Sequence, residues 1–138
     1  MELFEFVKIL FEQPGKFNEI SDVEKRKQYF MINRFMAIKF PLQAQALGHQ
    51  KINQVEVVNF WQRFMRAKYK RVPHWIYTKG AKKQKAAKEK KLKISSKEII
   101  SFAQFFKFDR KAVEKAIEFW PKEMQTEFKA YAKMEKDQ

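Results

Sequence analysis

Apolar positions along the chain recur at helical spacing. Leu3, Phe6, Val7 and Leu10 repeat as i, i+3, i+4 and i+7, which predicts a short first helix that Pro14-Gly15 ends. A second helix is expected from Ser21-Asp22. Either residue can accept from the open N–H groups of a first turn, and Glu24 stands three positions after Ser21 as in a capping box. Val23, Phe30, Met31, Phe35 and Ile38 would share its apolar face. Pro41 disfavours helical geometry at Phe40, so the helix stops or bends there, and 42–47 adds a turn before Gly48. Asn53 is the expected cap of a third helix over 54–70. Its apolar side carries Phe60, Trp61, Phe64 and Met65, and its polar side Glu56, Asn59, Arg63, Arg66 and Lys70. Pro73 closes that helix, and His74-Trp75-Ile76-Tyr77 reads as an ordered connector.

The pattern then breaks. Residues 79–93 read KGAKKQKAAKEKKLK, with eight lysines, one glutamate and almost no large apolar side chain. Like-charge repulsion makes such a run a solvated linker or a frayed helix. Helical periodicity resumes with a capping box at Ser95-Ser96-Lys97-Glu98, ahead of Ile99, Ile100, Ala103 and Phe106. Asp109 caps a further helix bearing Val113, Ala116, Ile117 and Trp120. Pro121 fits the first turn of a last helix striped by Met124, Phe128 and Tyr131. No segment alternates apolar and polar residues long enough for a strand. The expected fold is therefore all-α: an amino-terminal helical unit over 1–78, a basic linker over 79–94 and a carboxy-terminal helical bundle over 95–138.

Composition sharpens this picture in two ways. Fifteen Phe, four Tyr and three Trp in 138 residues supply a core, and either fill it outright or leave some aromatic surface for a partner. The formal charge is +14, and thirteen Lys or Arg against one Glu between 63 and 93 account for +12 of it. Such a field favours nucleic acid, an acidic protein or an anionic membrane as partner. The absence of Cys removes disulfides and thiolate metal sites and suits a reducing compartment. The first residues lack the basic start and cleavage site of a signal peptide, and no apolar run reaches membrane-spanning length, so a soluble cytosolic protein is expected.

The search for chemistry gives a one-sided result. His49 and His74 belong to no ligand-spaced motif, three scattered Gly make no phosphate loop, and Ser21, Ser95 and Ser96 read better as caps than as nucleophiles. The carboxylates are interspersed with lysines as ordinary surface pairs. No catalytic residue, metal site or cofactor is expected, and the positive signal is the basic middle. Arg63, Arg66, Lys70, Arg71, Lys79, Lys82 and Lys83 are the candidate phosphate-contacting residues. Trp75, with Tyr77 nearby, can stack on unpaired bases or equally anchor the core. Arg34 and Lys68 lie near apolar faces, where their stems are buried with the charge in water or meet an acidic subunit.

Three segments carry a resemblance. Tyr29-Phe30-Met31-Ile32-Asn33 followed by Phe40-Pro41, then 69–75 (YKRVPHW), then 106–112 (FKFDRKA) continuing to Ala116, are similar in order and approximate spacing to the bacteriophage clamp-loader A subunit. That family is the small non-ATPase subunit of the phage sliding-clamp loader, and the likeness covers roughly 28–130. The resemblance implies an accessory subunit in the host cytoplasm, assembled with the clamp-loader ATPase subunits and acting with them on the sliding clamp and primer–template DNA. The chain is shorter than that family leads one to expect, and the lysine-rich stretch longer and more basic. The alternatives are a stand-alone, non-sequence-specific nucleic-acid-binding protein and a basic virion structural protein.

Overall fold

The computed structural model describes residues 1–48, 52–77 and 94–136. The fold is all-α, with no strand among the described residues. Two compact units are formed, Met1–Tyr77 and Thr78–Gln138. The lysine-rich linker expected over 79–94 lies, apart from Ile94, outside the described residues.

In the first unit, α1 (Leu3–Glu12) buries Leu3, Phe6, Val7, Ile9, Leu10 and Phe11. The first helix ends as expected, and Pro14 does more than stop it. It opens α2 (Pro14–Glu19) as its first residue, where its missing N–H is not needed, and only Gln13 separates the two helices. Ser21 caps α3 (Asp22–Ala37), its hydroxyl accepting from the Glu24 N–H at 3.2 Å. The helix is buried on every side through 28–32, which makes it the centre of the unit. Val23 leaves the expected apolar face: it sits in the first turn, ahead of the packed region, and is 54% exposed. Three residues separate α3 from α4 (Pro41–Leu47), which again begins on a proline.

α5 (Gln54–Lys68) starts where Asn53 accepts from the N–H groups of Val55 and Glu56. It ends two residues earlier than the sequence suggested, because Tyr69 adopts extended geometry. Lys70 and Arg71 therefore lie in a bend rather than on the helix. A helical turn at 74–77 follows, pinned by the fully buried Ile76.

Polar bonds lock α3, α4 and α5 together. The Asn33 amide donates to the Ala44 carbonyl at 3.0 Å, and its oxygen accepts from the buried Trp61 indole at 2.9 Å. The Tyr29 hydroxyl donates to the Leu47 carbonyl at 2.9 Å. Lys25, itself buried, donates to Asn59 at 2.9 Å and lies 4.5 Å from the centre of the Phe17 ring.

The second unit is a three-helix hairpin stack of α6 (Ser96–Phe106), α7 (Arg110–Phe119) and α8 (Pro121–Lys136). Ser95 caps α6 by accepting from the Glu98 N–H, and its hydroxyl donates to the Glu98 carboxylate, so the expected box closes through the two side chains. Asp109 caps α7 through the Ala112 N–H. The core is aromatic: Phe102 stacks on Phe128 at 4.5 Å and meets Tyr131 edge-on at 5.7 Å. The Tyr131 hydroxyl bonds Ser101 at 2.6 Å. Burying side chains of this size supplies about 1.5–3 kcal/mol each, which is how a unit this small holds three helices.

Candidate nucleic-acid interface

The direction of the core fixes which side chains α5 can offer. Val57, Val58, Trp61 and Met65 are buried, so the opposite face, with Arg63 and Arg66 one turn apart, is exposed. Lys70 and Arg71 are exposed just past the helix end, in the bend that leads to the 74–77 turn. The backbone of that bend is held at Val72, whose N–H reaches the Glu12 carboxylate at 3.5 Å. Four of the eight residues singled out in the sequence, Arg63, Arg66, Lys70 and Arg71, thus present their charges to solvent along one helix and its exit. Lys79, Lys82 and Lys83 lie outside the described residues.

Trp75 is placed differently. Its ring is half-buried and edge-on to Tyr69 at 6.4 Å, and Tyr69 is in turn edge-on to the buried Phe11 at 6.2 Å. The indole nitrogen is shielded from solvent with no hydrogen-bond partner. Tyr77, by contrast, is 42% exposed, its ring 5.8 Å from Phe4. Of the two rings flanking the basic segment, Tyr77 is the one that projects outward.

A second aromatic surface lies beside the arginines. Phe60 and Phe64, read from the sequence as inward-facing, are only half-buried, because the packed direction of α5 centres on Trp61 and Met65 and leaves them on its shoulder. Their rings stack at 5.4 Å, and Phe40, from the link between α3 and α4, meets Phe64 edge-on at 5.1 Å. The exposed Lys68 covers this cluster, its ammonium 5.1 Å from the Phe64 ring and 5.8 Å from Phe40. Lys68 therefore snorkels over aromatic surface as one of its two sequence readings had it, whereas the Arg34 guanidinium lies 4.5 Å from the centre of the Phe30 ring with its Nε shielded from solvent. The apolar pair Val57-Val58, in helical register with Trp61 and Met65, was the available sequence signal that Phe60 and Phe64 flank the core.

Among the described residues no group of three His, Asp or Glu side chains is arranged to hold a metal ion. No described helix is long and apolar enough to cross a membrane. Burial pushes the Tyr29 phenol above the ordinary 10.0, and that group is part of the α3–α4 lock rather than of any surface. Comparisons of the chain with protein-family models, with curated proteins and with solved structures gave no significant match.

Proposed function

We propose that the chain is a non-catalytic accessory subunit of a bacteriophage sliding-clamp loader, which joins the ATPase subunits and helps them place the clamp on primer–template DNA. The observation that carries this reading is the ordered likeness of the three segments to the clamp-loader A subunit. The first segment lies in the core of α3 and at its exit, and the other two lie at junctions between helical elements. Tyr29 and Asn33 hold α3 to α4 and α5, and Phe40-Pro41 makes the turn between α3 and α4. The 69–75 segment forms the exit of α5, and 106–112 forms the turn from α6 into α7. The carboxy-terminal unit would complete the collar that holds the ATPases, in the host cytoplasm. Arg63, Arg66, Lys70 and Arg71, with Trp75 behind them and Lys79, Lys82 and Lys83 beyond, would face the DNA.

Co-expression with the ATPase and clamp of the same genome tests this. The expected result is one complex on size exclusion, with ATP hydrolysis raised by clamp and primer–template DNA only when the chain is present. No complex and no stimulation overturns it.

A second reading, a stand-alone binder of single-stranded nucleic acid, draws on the exposed Arg63 and Arg66 beside the half-exposed Phe60 and Phe64. Aromatic rings interleaved with cations are the general form of a stacking platform. It requires the isolated chain to bind oligonucleotides tightly without any ATPase partner, and tight binding only within the complex separates it from the first.

A further inference from the structure

The carboxy-terminal unit holds a groove that neither reading uses. It lies between α6 and the turn into α7, has a volume of about 360 Å³, and is lined by Ile100, Ala103, Gln104, Lys107, Phe108 and Arg110. The walls are apolar: Ala103 is buried, and Ile100 and Phe108 are half-buried. Gln104, Lys107 and Arg110 are exposed around them. An apolar cleft with a few convergent polar groups is the usual form of a small-ligand or peptide site.

The two charged groups on the rim, Lys107 and Arg110, are both cations, exposed and neither without a partner in the structure. Of the nearby carboxylates, Asp109 is engaged as the cap of α7, accepting from the Ala112 N–H at 3.3 Å. Glu114 pairs with Arg110 at 3.1 Å, with the two side chains 44% and 52% exposed. An exposed i,i+4 pair of that kind contributes little and gives way readily to another carboxylate. Residues 94–138 carry nine Lys or Arg and eight Asp or Glu, so the charge over the groove is a local feature of a nearly neutral unit.

The backbone supplies an independent observation. Lys107 has φ 60° and ψ 40°, the left-handed geometry that ends a helix, and the Phe108 N–H returns to the Ala103 carbonyl at 2.9 Å. Glycine is the residue that suits this position, and a lysine there costs stability. What the lysine adds is an ammonium at the lip of the groove, while the same turn folds Phe108 into its wall.

We infer that this groove binds a short linear peptide of a partner protein, in which carboxylates flank a bulky apolar side chain. The apolar side chain lies between Ile100 and Phe108, and the carboxylates meet Lys107 and Arg110. The site does not depend on the clamp-loader reading, since it concerns only the second unit.

Fluorescence anisotropy of the full chain with labelled hexapeptides tests it. Asp-Asp-Leu-Phe-Asp-Asp is expected to bind about tenfold more tightly than either Asn-Asn-Leu-Phe-Asn-Asn or Asp-Asp-Ser-Ser-Asp-Asp, because charge-assisted contacts and apolar burial are both needed. Lys107→Gly should weaken that peptide about fivefold while raising Tm, so that lost binding cannot be lost folding. Arg110→Gln should weaken it as well, and competition by a single-stranded oligonucleotide should be the same in wild type and Lys107→Gly. Equal binding of the serine peptide would assign the affinity to the general positive charge and overturn the proposal. So would unchanged binding in both variants, or an oligonucleotide whose own binding is lost with Lys107.

Discussion

Asn33 shows how much one polar side chain can settle. It donates to the Ala44 carbonyl and accepts from the Trp61 indole, so its amide serves two groups on two different helices. The missing Cβ of Gly48 helps, since one there would lie 3.2 Å from that same Ala44 oxygen. Asn33→Ala removes both bonds and leaves the buried indole N–H without an acceptor, so a loss of about 2–3 kcal/mol is expected in urea denaturation. Lys107 works in the opposite direction. Lys107→Gly relieves its left-handed backbone and should gain about 0.5–1 kcal/mol by the same measurement. Tyr29 adds a pH dependence. Burial holds its phenol neutral above the ordinary pKa of 10.0, so its contribution is complete below that value and is lost as pH rises through the elevated one. Urea midpoints between about pH 8 and 11 should therefore fall less steeply for Tyr29→Phe than for wild type, although the variant starts about 1 kcal/mol lower for want of the bond to Leu47.

At the scale of the helix, what the sequence made legible were the contacts between residues two or three apart. Ser21, Asn53, Ser95 and Asp109 all cap the helices they were expected to cap, because a cap is made by the residue itself with the next turn's N–H groups. Ser95→Ala loses the Glu98 N–H and the Glu98 carboxylate together, and should lower the stability of the second unit by about 1 kcal/mol, read from the amplitude and midpoint of helical circular dichroism. Pro14 was read as the stop of the first helix, which does end before it, but that it also starts the next helix was not read, since a proline suits both places and only the length of the gap decides. Phe60 and Phe64 were placed inside because helical periodicity gives the direction of an apolar stripe but not how wide a neighbour covers it. The bonds of Lys25 to Asn59 and of Trp61 to Asn33 join residues 34 and 28 apart, and their pairing has no local sign. Trp75 was left open between stacking platform and core anchor for the same reason: it packs on Tyr69, whose own place is set by Phe11, far away in the chain.

For the whole molecule the governing fact is where the charge lies. Residues 63–93 hold +12 of the +14, and the described part of that segment displays Arg63, Arg66, Lys70 and Arg71 to solvent. If these side chains meet phosphates, each contact releases a counterion, and log K for single-stranded DNA falls with log salt by about 0.7 for each one. Arg63→Gln with Arg66→Gln should then weaken binding and also flatten that slope by about 1.4, with Tm shifted little because both side chains are exposed. Phe60→Ala with Phe64→Ala separates the aromatic contribution, since stacking on bases carries no counterion and its loss lowers affinity at unchanged slope. Titrations of a labelled oligonucleotide at several salt concentrations measure both quantities together. A slope untouched by the arginine variants would place the phosphates on the lysine-rich stretch instead, and α5 would then be left to a protein partner, with its arginines and its Phe40, Phe60 and Phe64 surface forming a single contact face.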